Sequence, residues 1–140
     1  MRKTEKDGQP RITLDPGDYY ATRDHDATLT TLLGSCVAAC LFDPVHRVVG
    51  MNHFLLANRR YAQKVPTILE SDVGRYGINA MEVLINTMLS QGAKKGHLKA
   101  KVFGGGDVLK NYRGSKEDNS FFVGEVNARF VQEYLKNEGI

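Results

Sequence analysis

Leu29-Thr30-Thr31-Leu32-Leu33-Gly34-Ser35-Cys36-Val37-Ala38-Ala39-Cys40-Leu41-Phe42-Asp43-Pro44 consists of two apolar runs joined at a Gly-Ser-Cys corner and closed by an Asp-Pro turn. The first run, taken from Thr28 to Leu33, mixes β-branched threonines with leucines and reads as a strand that stops at Gly34. The second, Val37 to Phe42, is too short for a good helix and reads as a buried strand. Asp43-Pro44-Val45-His46-Arg47 then forms a hairpin turn into Val48 to Leu56, so the runs on either side of it should pair antiparallel. Such a corner presents a thiol where one strand gives way to the next, which makes Cys36 the candidate nucleophile. His53 falls inside the following apolar run, where an imidazole without a partner would be unfavourable. A cysteine and a histidine on neighbouring strands form the smallest cysteine-hydrolase pair, provided that sulfur and imidazole lie within bonding distance.

Working outward, residues 1–9 are polar and are expected to be a flexible segment, leaving residues 10–140 as a single domain. Pro10 to Leu14 and Tyr19 to Arg23 read as short strands separated by the turn Asp15-Pro16-Gly17-Asp18. Ala57 to Leu69 has no clear period and has the length of a loop that covers a site. Ser71 or Asp72 can cap a helix carrying Val73, Ile78, Met81, Leu84, Ile85, Met88 and Leu89 on one face, with Gly92 as its stop. Gly77 should weaken the early part of this helix by about 1 kcal/mol relative to alanine. Leu98 to Phe103 alternates with Lys99 and Lys101 as a half-buried strand ending in Gly104-Gly105-Gly106-Asp107, read as a tight turn. Tyr112 to Ser120 is a polar loop. From Glu125 to Asn137 a last helix turns Val126, Phe130, Val131 and Leu135 inward. Strands, helix, strand, helix in this order indicate an α+β fold with helices laid against sheets.

Composition narrows the function classes. With 41% hydrophobic and 25% charged residues in 140, the chain can bury a self-sufficient core, and its net charge of +3 is spread among acidic groups rather than gathered into a nucleic-acid surface. No apolar stretch approaches the length of a membrane span, and the first residues lack the apolar segment of a secretory signal, so a cytoplasmic location without membrane insertion is expected. Cys36 and Cys40 lie too far apart along one strand to form a disulfide. His25, His46, His53 and His97 are scattered and no Cys-x-x-Cys occurs, so neither a metal nor another cofactor is expected.

Leu-Gly-Ser-Cys at 33–36, Asp43-Pro44, His53, Gly74-Arg75-Tyr76 opening a helix, Phe103-Gly104-Gly105-Gly106 and Gly124-Glu125-x-Asn127 together resemble the CheD family of chemoreceptor glutamine deamidases. The resemblance implies packed β-sheets flanked by helices, akin to the cysteine deamidase domain of cytotoxic necrotizing toxins. It also implies a catalytic Cys, His and Thr, which fall by position on Cys36, His53 and Thr30; from the residues alone Thr30 and its neighbour Thr31 are chemically equivalent. Val126 stands where the family has Arg, and the family's closing strands after the final helix are not expected within this chain.

Read through that resemblance, Cys36 attacks a receptor glutamine as a thiolate paired with His53, Thr30 orients the imidazole, and backbone amides of the corner at Gly34, Ser35 and Cys36 receive the oxyanion. The implied partners are methyl-accepting chemotaxis receptors as substrate and a CheC-type phosphatase. A second reading, a non-catalytic module that binds such a phosphatase, stays open on the sequence. Cys40 is read as core, and Lys94, Lys95, Lys99 and Lys101 as a solvated face.

Overall fold

The computed structural model describes residues 1–56, 72–106 and 123–140. Seven strands form two sheets: β1 (Arg2–Lys6), β2 (Gln9–Leu14) and β4 (Thr28–Thr31) make a three-stranded sheet in the order β1-β2-β4, and β3 (Tyr19–Thr22), β5 (Val37–Asp43), β6 (Val48–Asn52) and β7 (Lys99–Gly104) make a four-stranded one in the order β3-β6-β5-β7. Two helices complete the described elements, α1 (Asp72–Ser90) and α2 (Val123–Glu138), together with a 3-10 turn at Lys95–His97. The α+β expectation therefore holds. The expected flap over 57–69, the Ser71 cap, Asp107 and the loop 112–120 lie outside the described residues.

The arrangement is three layers deep, and the alternation of β5 and β6 explains why. Val37, Ala39, Leu41, Val48 and Phe54 point to one side and meet Met81, Leu84, Met88, Phe130 and Val131 of the helices, forming the larger core. Ala38 and Met51 point to the other side and meet Ile12 and Leu14 of the three-stranded sheet, with Leu29, Leu33 and Cys40 packed around them. Buried on both faces, β5 reads as a continuous apolar run rather than an alternating one. Burial of side chains such as Leu84 and Met88 contributes about 1.5–3 kcal/mol each. Asn52, also buried, ties α1 to the sheet: its Oδ1 accepts from the Ala39 amide at 3.0 Å and its Nδ2 donates to the Ala80 carbonyl at 3.3 Å.

Two expectations are corrected here. Residues 2–6 are not loose but pair antiparallel with β2 as strand β1, because Asp7 and Gly8, at φ 55° and 77°, make the positive-φ turn that matches strand twist. The polar side chains of β1 are all exposed, so no burial pattern could announce it.

Gly77, read as a weak point, is a packing requirement. A Cβ there would stand 2.5 Å from Cζ of Phe130, where α1 meets α2. Gly77→Ala is expected to destabilise by about 1–3 kcal/mol through overpacking, against the gain that helix propensity alone would give. Urea denaturation of the two proteins measures the sign directly.

Candidate active site

Cys36 and His53 sit where the β5–β6 ladder ends. Strand β5 pairs with β6 through Cys40 and Met51, and the pairing continues as a bridge between Val37 and Phe54, with hydrogen bonds of 2.9 and 3.0 Å in both directions. In that register His53 lies opposite Ala38, on the face turned towards the three-stranded sheet. Cys36, the bend residue just before Val37, stands at the same end of the ladder as His53. The hydrogen bond expected between them is not made in this conformation, since His53 Nε2 is buried and has no partner among the described residues.

Every other polar group of His53 is held. Its amide donates to the Asp18 carbonyl at 2.9 Å and its carbonyl accepts from the Gly17 amide at 2.8 Å, so the β2–β3 turn clamps its backbone. Its Nδ1 lies 2.7 Å from Thr31 Oγ1, which also lies 2.8 Å from the Leu14 carbonyl. A carbonyl can only accept, so both contacts are satisfied together when the Thr31 hydroxyl donates to Leu14 and accepts from a proton on Nδ1. That tautomer leaves the lone pair on Nε2, the unpartnered atom.

Thr31, not Thr30, therefore orients the imidazole. Strand β4 runs parallel to β2 with Thr31 beside Leu14 and Thr30 beside Thr13, and Thr31 shares the inward face with Leu29. Thr30 is one residue out of phase and projects to the other side.

The corner at residues 34–36 is fixed by its carbonyls. Gly34 O accepts from the Gly106 amide and Cys36 O from the Gly105 amide, both at 2.9 Å, and Ser35 O accepts from Asn127 Nδ2 at 2.8 Å. Asn127, fully buried on α2, also takes the Leu56 amide on its Oδ1 at 2.8 Å, joining the corner to the chain that follows His53. The glycines read as a simple turn are thus the bed on which the corner carrying Cys36 lies. Among the described residues the amides of Ser35 and Cys36 donate to no other residue, so they are available as donors to a developing oxyanion. The sequence signals for Asn127 are its place in the Gly124-Glu125-x-Asn127 motif and an amide set among the apolar positions of the last helix.

Burial pushes the Cys36 thiol above its ordinary pKa, with its own backbone amide opposing. Burial also pulls the His53 imidazole below its ordinary value, against the Leu14 carbonyl and the Asp15 and Asp18 carboxylates. Both shifts favour the neutral forms of thiol and imidazole over the ion pair. Cys40 lies in the core between the sheets, as read, and both thiols are free. Val126, at the family's Arg position, is buried in the helix-side core. Lys99 and Lys101 are exposed as expected.

Comparison with known proteins gives this geometry a family. A model described as CheD chemotactic sensory transduction matches residues 56–140. A probable chemoreceptor glutamine deamidase CheD 1 of Geobacter sulfurreducens is 49% identical over 140 residues, covering 100% of this chain and 68% of its own length. A probable chemoreceptor glutamine deamidase CheD 1 of Shewanella oneidensis is 50% identical over 129 residues, 92% of this chain and 58% of its own. One from Agrobacterium fabrum is 44% identical over 130 residues, 93% of this chain and 64% of its own. The chain thus spans between 58% and 68% of the length of these three relatives. With the family model matching more than half of it and a relative at 49% identity matching all of it, the chain belongs to the CheD family.

Proposed function

We propose that this chain hydrolyses the side-chain amide of glutamines in methyl-accepting chemotaxis receptors, converting them to glutamates with release of ammonia. The observation that carries the reading is the buried Nε2 of His53, without a partner among the described residues, at the same end of the β5–β6 ladder as the Cys36 corner. The names of the relatives supply the substrate class. In this mechanism Nε2 takes the thiol proton as Cys36 Sγ bonds to the amide carbon, and the amides of Ser35 and Cys36 receive the oxyanion. The imidazolium then gives its proton to the departing nitrogen, ammonia leaves and a thioester remains. Water loses a proton to Nε2, adds to the thioester and expels the sulfur as glutamate forms.

Cys36 and His53 are the catalytic residues of this proposal, and Thr31 is a positioning residue that fixes the tautomer. The likeness to toxin-type cysteine deamidases, action in the cytoplasm and a CheC-type phosphatase as partner belong to the same reading, supported by the motif resemblance. No described helix is long and apolar enough to cross a membrane.

Incubation of the chain with purified receptor fragments, followed by peptide mass spectrometry for Gln-to-Glu conversion, tests the proposal; fragments left unconverted would refute it. The pH profile adds a second test. A general base must be neutral, and the depressed His53 pKa keeps it neutral down to lower pH than a free imidazole, so the acid limb of kcat/KM should fall below about 6.5. Thr31→Val removes the acceptor on Nδ1 and should lower kcat about 10–100-fold, by analogy with partners that orient metal-bound histidines. It should also move that limb further down, whereas Thr30→Val should leave the limb in place.

A further inference from the structure

At the far end of β5, seven residues and about 23 Å along the strand from Cys36, three side chains converge that play no part in the chemistry above. Asp43 is buried, with a side chain wholly inaccessible, while His46 is partly exposed and His97 exposed. His46 Nδ1 lies 2.8 Å from Asp43 Oδ2 and 3.5 Å from His97 Nδ1, and one ligand atom from each of the three residues falls within 4.8 Å of the others. The geometry points to a divalent-cation site made by Asp43 Oδ2, His46 Nδ1 and His97 Nδ1, of a chemistry suited to Zn²⁺.

Two imidazole nitrogens, each about 2.0–2.1 Å from one zinc ion in tetrahedral coordination, stand close to the separation that His46 and His97 already have. The carboxylate is set in place beforehand. Its Oδ1 accepts the amides of Val45 and His46, each at 2.9 Å, and its Oδ2 accepts the Lys94 amide at 2.8 Å. These bonds hold and orient a first ligand as outer partners do at metal centres. A carboxylate only accepts, so His46 carries the hydrogen of the Asp43 contact on Nδ1. The cation would take the place of that hydrogen, which the neutral ring then carries on Nε2, and His97, whose ring stacks on that of His46 with centroids 5.3 Å apart, would turn on its exposed 3-10 turn to close the third bond. Water completes the fourth position. The sequence conceals this group because positions 43, 46 and 97 match no ligand spacing; the β5–β6 turn and the 3-10 turn meet only in the fold.

Isothermal titration with Zn²⁺, and with Co²⁺ read by its visible d–d bands, tests the site on the intact chain and on the Cys36→Ala variant. The expected result is one equivalent bound in both. His46→Ala and His97→Ala should each weaken binding about tenfold or more. Binding that disappears with Cys36→Ala, that is unchanged by both histidine variants, or that is absent from the intact chain would overturn the assignment.

Discussion

Replacing Cys36 by alanine is expected to bring ammonia release from receptor fragments down to background, a loss of about 10⁴-fold or more, because the substitution removes the atom that forms the thioester. Cys36 is only partly buried and its side chain makes no hydrogen bond among the described residues, so the stability change should stay within about 1 kcal/mol. His53→Gln should cost a comparable factor, since the glutamine has no basic nitrogen to put where Nε2 stands. The double variant should be no slower than either single one. Groups that act as a unit lose their whole contribution when one is removed. Ammonia release measured beside thermal unfolding separates this outcome from simple loss of fold, and undiminished release by Cys36→Ala would remove the sulfur from the mechanism.

Gly104→Ala is expected to damage fold and activity together. Gly104 sits at φ 103°, which L side chains rarely adopt, and a Cβ there would stand 2.1 Å from the Cys36 carbonyl oxygen. Unlike the clash at Gly77, where a ring can give, this one is with backbone. Relief requires β7 to part from β5 at the Val37–Gly104 pair or the corner to shift. Backbone strain and steric overlap together should cost about 3 kcal/mol or more. Residual folded protein should also lose kcat, because the displaced carbonyl belongs to Cys36 itself, and moving it moves the residue that carries the sulfur. Denaturant unfolding and kcat at saturating substrate measure the two parts. An alanine variant of unchanged stability and rate would show that the glycine bed is not what holds the nucleophile.

What the sequence determined by itself was the set of elements whose signal is local. The apolar run Val37 to Phe42 and its hairpin partner paired as read, because a strand buried on both faces needs an unbroken apolar stretch and an Asp-Pro turn ends it wherever it is placed. The helices at 72–90 and 123–138 followed from their apolar spacing. Cys36 and His53 were legible as candidates for the same reason, being reactive side chains interrupting apolar runs.

Tertiary structure alone decided which partner each of these groups meets. The choice between Thr30 and Thr31 depends on a one-residue register between β2 and β4, and a single step reverses the face to which a strand side chain points. Gly77 reads along the chain as a weak point and Gly104 as part of a tight turn, and only the approach of Phe130 and of the Cys36 carbonyl makes the two glycines necessary. Asn127 reaches Ser35 across 92 positions, and His97 reaches His46 across 51. The same holds for the protonation of the active pair: residue type sets the starting pKa, but burial between two sheets moves the thiol up and the imidazole down, and burial is a property of the packed fold.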